Sequence, residues 1–282
     1  MIIVGVDGSL ASRAAVEWAA NDAFRLHLPL RIVYAVDRGP FQISKNPAEA
    51  SQDGPRRVGR QALAEAVALV RERRPDVEVT ADLVEGSAVS VLRQEEERAT
   101  ELVIGSRGRG GLAGALLGSV STHVAGHVRC PVVVVHGERR PRRGEVVVGV
   151  DDTPECEPAL AYAFEQAQVR GATLRALHAW QAPVHAFVPE VTYDPDEVGT
   201  ARNQAVADRV AAFQATYPEV KVVQDVRPAS PAEALAEVSA GADLLVVGSH
   251  GHGAVASVLL GSVSRAVLHH ARCPVAVVRP RA

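Results

Sequence analysis

One stretch of this chain is written twice. Leu102 to Val135 reads LVIGSRGRGGLAGALLGSVSTHVAGHVRCPVVVV, Leu245 to Val278 reads LVVGSHGHGAVASVLLGSVSRAVLHHARCPVAVV, and 21 of the 34 ungapped positions are identical. The duplication extends beyond this stretch. Asp7 and Asp151 are 144 apart, Gly105 and Gly248 are 143 apart, and Cys130 and Cys273 are 143 apart. Solenoid units repeat every 20–50 residues or so, so a period this long denotes a duplicated domain. A chain of 282 residues accommodates two domains of ordinary size. The sequence divides as a first domain over 1–136, a linker over 137–145 and a second domain over 146–282. The segment His136–Glu145, HGERRPRRGE, is polar and strongly basic and carries Pro and Gly. Its four arginines read as a solvated connection before they read as a patch for an anionic partner.

Each half alternates short apolar runs with helical periodicity. In the first half, strands are expected at Ile2–Val6, Leu30–Val36, Val77–Val84, Leu102–Gly105 and Pro131–Val135. Helices are expected at Ala11–Leu26, Arg56–Arg73, Ser87–Ala99 and Ser119–His127. The second half repeats the order, with strands at Val146–Val150, Leu174–Trp180, Lys221–Arg227, Leu244–Gly248 and Pro274–Val278. Its helices fall at Pro158–Arg170, Glu197–Tyr217, Pro231–Ala240 and Ser262–His270. Alternation of this kind specifies an α/β fold: a five-stranded parallel sheet per half, with helices on both faces. Composition agrees, because 47% of residues are apolar but only 4% aromatic. Such a core is built from Val, Leu, Ile and Ala, as buried parallel strands under Ala-rich helices require. The segment Asp37 to about Gly54 is long and Pro-bearing, which suggests a flap.

The net charge of −3 gives no global field for nucleic acid or for a membrane surface. No apolar run approaches the roughly 20 residues of a spanning helix, and MIIVGVDGS lacks the order of a signal peptide. The three cysteines show neither a paired framework nor a CxxC, which points to a reducing, cytoplasmic setting.

The repeated stretch carries a glycine skeleton: Gly105-x2-Gly108-x9-Gly118-Ser119, and Gly248-x2-Gly251-x9-Gly261-Ser262. Ligands of parallel sheets bind outside the carboxyl ends of the strands, where Gly105 and Gly248 fall. Glycine lets backbone approach a ligand closely, and a helix opening at Gly-Ser presents N–H groups and a positive dipole end to phosphate. Charge-assisted bonds of this type contribute about 1.5–3 kcal/mol each. A P-loop is excluded because neither copy has its lysine. The dinucleotide fingerprint is excluded because the first strands end in Val6-Asp7-Gly8 and Val150-Asp151-Asp152.

The G-x2-G-x9-G-S pattern, the aspartate closing the first strand and the Cys-Pro before the last strand resemble the nucleotide-binding branch of the universal stress protein family. The whole chain resembles its tandem form, except in the linker and the loops after the second strands. The resemblance implies two Rossmann-like (adenine nucleotide alpha hydrolase-like) domains and two ATP sites, with Mg2+ accompanying the phosphates. It implies that Asp7 and Asp151 hold the ribose, with Gly5 and Gly149 just before them where a side chain would crowd the ligand. Backbone at Ala35 and Ala179 would meet the adenine. The phosphates would lie among Gly105, Ser106, Arg107, Gly108, Arg109, Gly110, Gly118, Ser119, Val120 and Ser121 in the first half. In the second they would lie among Gly248, Ser249, His250, Gly251, His252, Gly253, Gly261, Ser262, Val263 and Ser264. It further implies a pseudo-dimer of the two halves through their last strands, with a homodimer of chains and a regulatory protein partner as further associations.

The loops differ in chemistry. Arginine is always charged, whereas histidine titrates near neutrality. With His250 and His252 in place of Arg107 and Arg109, phosphate affinity at the second site is expected to weaken more steeply from about pH 6 to 8. Cys130 and Cys273 read as packing residues. Cys156 stands near a helix start, where a thiol pKa can fall. The ten histidines show no metal-binding spacing, and no catalytic residue is assigned. The expected function is ATP-dependent regulation of stress response or growth arrest; the alternative is a slow ATPase or phosphotransferase at the same sites.

Overall fold

The computed structural model describes residues 1–37, 53–108, 117–137, 141, 143–151, 153–180, 195–251 and 260–280, with backbone alone at Asp53, 195–199 and Ala201. The chain forms two compact units, Met1–Arg140 and Pro141–Ala282. The first runs β1 (Ile2–Gly5), α1 (Leu10–Leu26), β2 (Leu30–Val36), α2 (Asp53–Arg73), β3 (Val79–Glu85), α3 (Ala88–Gln94), β4 (Glu101–Gly105), α4 (Ser119–His127) and β5 (Val132–Val135). Its strands are all parallel, in the order β3-β2-β1-β4-β5. The second unit runs β6 (Glu145–Gly149), α5 (Glu157–Arg170), β7 (Thr173–Trp180), α6 (Pro195–Gln214), β8 (Val222–Pro228), α7 (Pro231–Val238), β9 (Leu244–Gly248), α8 (Ser262–His270) and β10 (Val275–Val278). Its order is β8-β7-β6-β9-β10, again parallel.

This order dictates where the helices lie. The chain moves outward from β1 to β3, then jumps back past β1 to β4 and β5. Right-handed crossovers taken in opposite directions put α1 and α2 on one face and α3 and α4 on the other. The central strands are accordingly buried on both faces: Ile2, Ile3 and Val4 of β1, like Leu102 and Val103 of β4, have no exposed surface. α1 reaches the sheet closely because the stripe Ala15, Ala19 and Ala23 is buried and short. Its start is fixed by Ser9, whose Oγ accepts the Ser12 N–H at 3.1 Å, and it ends at His27 in the left-handed region.

The boundaries depart from the sequence reading mainly at α3, which stops at Gln94 rather than Ala99. Glu95, Glu96 and Glu97 offer no apolar stripe to hold further α turns on the sheet. The chain continues instead in tight turns, with Arg98 N–H donating to the Glu95 carbonyl at 3.1 Å. The expected flap lies largely outside the described residues. No described helix is long and apolar enough to cross a membrane.

Candidate functional site

In each unit the direction of strand succession reverses between β1 and β4, or between β6 and β9, and a cavity opens there at the strand ends. The first cavity, about 400 Å³, crosses the ends of β2 (Tyr34, Ala35), β1 (Gly5, Asp7) and β4 (Ile104, Gly105) and reaches Arg107, Gly108 and Gly118 to Ser121. The second, about 310 Å³, crosses β7 (His178, Ala179, Trp180), β6 (Gly149, Asp151) and β9 (Val247, Gly248) and reaches His250, Gly251 and Gly261 to Ser264. The candidate residues thus converge on two cavities. Ser106 and Ser249 sit behind them, buried, with carbonyls accepting the N–H of Gly118 at 2.7 Å and of Gly261 at 2.8 Å. Arg109, Gly110, His252 and Gly253 lie outside the described residues.

The glycines have different reasons. A Cβ on Gly105 would stand 2.7 Å from the Ala11 carbonyl carbon and 2.8 Å from the Ser12 nitrogen. That glycine serves the approach of α1 to the sheet. A Cβ on Gly5 would meet Leu92 and Ile104 side chains at 3.1–3.3 Å, so packing against the neighbouring elements already demands a small residue there. The second glycine of the motif is tied to the aspartate: a Cβ on Gly108 would stand 2.6 Å from Asp7 Oδ2, and Gly251 stands in the same relation to Asp151 Oδ2. The other carboxylate oxygen is held from below. Asp7 Oδ1 accepts the Ser9 N–H at 2.9 Å, and Asp151 Oδ1 accepts the Thr153 N–H at 3.0 Å and its hydroxyl at 2.6 Å. The aspartates are therefore not the caps of the following helices; in the first unit Ser9 performs that task.

The phosphate end is set by how α4 and α8 begin. Their N-caps are Gly118 and Gly261, which supply no side-chain acceptor, whereas α1 and α3 are capped by serine oxygens. The first-turn N–H groups of α4 and α8 thus face the cavity without a cap. Ser121 and Ser264 brace this end: their hydroxyls donate to the carbonyls of Gly105 at 2.8 Å and of Gly248 at 2.6 Å. Their buried side chains pin each helix to its strand. Ser119 and Ser262 are exposed at the mouth.

Several lining residues escape the sequence reading. In the second unit His178 is buried, its Nδ1 lying 2.8 Å from the Val150 carbonyl and its Nε2 lying 3.3 Å from Arg202 Nη1. A carbonyl can only accept and a guanidinium can only donate, so this arrangement calls on Nδ1 as donor to Val150 and on Nε2 as acceptor from Arg202. The Arg202 guanidinium also lies over Trp180, 5.3 Å from the ring centroid. An aromatic at a strand end, in a chain with two tryptophans, is the signal that could have marked this wall.

Cys156 is buried and its Sγ lies 3.5 Å from the Asp151 carbonyl. Burial pushes its thiol up, and the Asp151 carboxylate adds to the effect, the opposite of the lowering that a helix start can bring. Cys130 and Cys273 are buried thiols that form no disulfide.

Fold and site together define a tandem α/β protein with a ligand cavity at the strand-order switch of each unit. The family model for the universal stress protein family matches residues 1–136 and 143–279, and the chain belongs to that family. It is 39% identical to Universal stress protein Rv2005c of Mycobacterium tuberculosis over 290 residues, covering 99% of this chain and 96% of the relative. It is 36% identical to a universal stress protein of Mycolicibacterium smegmatis over 290 residues, covering 99% of this chain and 97% of that one. Among solved structures, a universal stress protein from Archaeoglobus fulgidus shares the fold with a TM-score of 0.70 at 19% identity, covering 99% of this chain and 96% of the other.

Proposed function

We propose that each unit binds ATP and that the protein acts as a nucleotide-dependent regulator of stress response or growth arrest. The observation that carries this reading is the order of chemistry along each cavity. At one end, beside β4 or β9, lies a helix N-terminus with a glycine cap, suited to phosphate. In the middle, at β1 or β6, lies a carboxylate oriented by backbone N–H, suited to accept from ribose hydroxyls. At the far end, beside β2 or β7, lies a wall with aromatic and aliphatic surface, suited to a base. Neighbouring strands are about 4.8 Å apart, so phosphates, sugar and base follow one another across three strand ends. Mg2+ fits as an ion held chiefly by phosphate oxygens: among the described residues no three of His, Cys, Asp or Glu converge on a metal position. Its role would be to neutralise phosphate charge.

The test is extraction of nucleotide from purified protein, counted per chain, for the parent and for Gly118→Glu and Gly261→Glu. A carboxylate at either helix start opposes phosphate. The expected result is about two nucleotides per chain, with a loss of one for each substitution. Protein that carries no nucleotide and binds none when ATP is added would overturn the reading.

A further inference from the structure

The two cavities differ at the end assigned to the base, and the difference is a paired exchange. Counting from Pro75 and Pro218, which are 143 apart, Arg202 occupies in α6 the place of Gly59 in α2. Tyr34 and His178 likewise occupy matching places in β2 and β7, 144 apart. In the first unit the Tyr34 ring lies so close to Gly59 that a Cβ there would stand 2.8 Å from it. Ring and glycine fit each other, and no side chain reaches past Tyr34 from that position of α2. In the second unit the smaller imidazole of His178 leaves room for Arg202, whose guanidinium lines the cavity. It is held there by His178 Nε2 at 3.3 Å and by the Trp180 face. The His178 Nδ1 in turn lies 2.8 Å from the carbonyl of Val150, next to the carboxylate Asp151. The guanidinium is thereby positioned by the same strand ends that form the site.

Resting on the nucleotide reading above, we infer that Arg202 sets the base preference of the second site and that this site takes a guanine nucleotide in preference to an adenine one. A guanidinium is a planar fork of donors without an acceptor. Guanine presents two acceptors, O6 and N7, on one edge and matches the fork with two hydrogen bonds. Adenine puts the N6 donor beside N7, so one guanidinium N–H meets a donor and loses its bond. The first site has a phenol ring at this position and no guanidinium from α2, so it carries no such preference.

The experiment is calorimetric titration of the full chain with ATP and with GTP, each with Mg2+. The second site is measured alone in Gly118→Glu and the first alone in Gly261→Glu. The second site is expected to bind GTP about tenfold more tightly than ATP, and the first site to show no preference for GTP. Adding Arg202→Met, which keeps an unbranched side chain at this position but removes the donors, is expected to abolish the preference. The double change His178→Tyr with Arg202→Gly, which restores the pair found in the first unit, should do the same by an independent route. Equal or tighter ATP binding at the second site, or a GTP preference that survives both changes, overturns the inference and leaves nucleotide binding standing. Failure of both nucleotides to bind either site overturns the nucleotide reading and this inference with it.

Discussion

At the scale of single residues, the duplicated glycine motif contains two kinds of glycine that the sequence writes alike. Gly105 is required by the backbone of α1, which a Cβ would meet at 2.7–2.9 Å; backbone at that depth cannot turn aside as a side-chain tip can. Gly118 has φ of −79°, and its nearest neighbour for a Cβ is the Ser106 carbonyl oxygen at 3.4 Å. Gly105→Ala is therefore expected to destabilise the first unit by about 1–3 kcal/mol, as overpacking does, while Gly118→Ala changes stability by less than about 1 kcal/mol. Urea denaturation of the two variants checks this, and equal losses would contradict the assignment. The spacing of the motif is legible in sequence, but the reason for Gly105 is not, because its partner Ala11 lies 94 positions earlier. Arg202 is hidden for a similar reason: its equivalence to Gly59 has meaning only once the Tyr34 ring is seen against that glycine. The cysteines offer a second check at this scale. All three are buried, and burial raises the Cys156 thiol further, so an aromatic disulfide reagent at neutral pH should modify none in the native protein and three in denaturant. Rapid native labelling of any one thiol would contradict the burial of that cysteine.

At the scale of elements, unbroken apolar runs make the inner strands legible, because parallel strands covered on both faces must be apolar throughout. β3 and β8, partly exposed and carrying Asp82 and Asp225, are legible chiefly from their place in the alternation with helices. Hydrophobic periodicity does less for helix ends, where polar side chains decide, as the early stop of α3 shows. It does nothing for ion pairs between elements. Arg31 on β2 pairs with Asp82 on β3 at 3.1 Å, and the duplicate Arg175 on β7 pairs with Asp225 on β8 at 3.1 Å. In the second unit the cluster is denser: Asp225 also accepts from Arg227 at 2.7 Å, and Arg175 binds Glu145 at 2.8 Å. Hydrogen bonds from Arg227, with Arg175 adding to them, hold the Asp225 carboxyl below its usual value. A carboxyl lowered by folding contributes stability that is present above the ordinary carboxylate range, near pH 4, and is lost as pH falls through the native value. Asp225→Asn should therefore be less stable than the parent at pH 7, and the difference should shrink as denaturation is followed from pH 7 towards pH 3. A difference independent of pH would mean that the carboxylate charge contributes nothing.

At the scale of the whole molecule, duplication followed by divergence gives one chain two cavities of the same plan and different chemistry. The described residues lining each cavity come from its own unit, so a ligand acts on the unit whose helix N-terminus it caps. Binding to the native state suppresses the openings that expose backbone amides, by RT ln(1 + [L]/Kd), or about 2.7 kcal/mol when ligand stands at 100 times Kd. Hydrogen exchange followed by mass spectrometry then reads each site separately in one sample. In Gly118→Glu with saturating ATP, peptides covering β9 and the start of α8 should gain protection of up to about 100-fold, while peptides covering β4 and the start of α4 gain none. Gly261→Glu should reverse the pattern. The contrast depends on Ser121 and Ser264 tying each helix start to the carbonyl at its own strand end, so that phosphate on the helix is felt at the strand. Protection of both regions in both variants would show that one bound nucleotide orders the two units together, and the cavities would then have to be treated as a single coupled device.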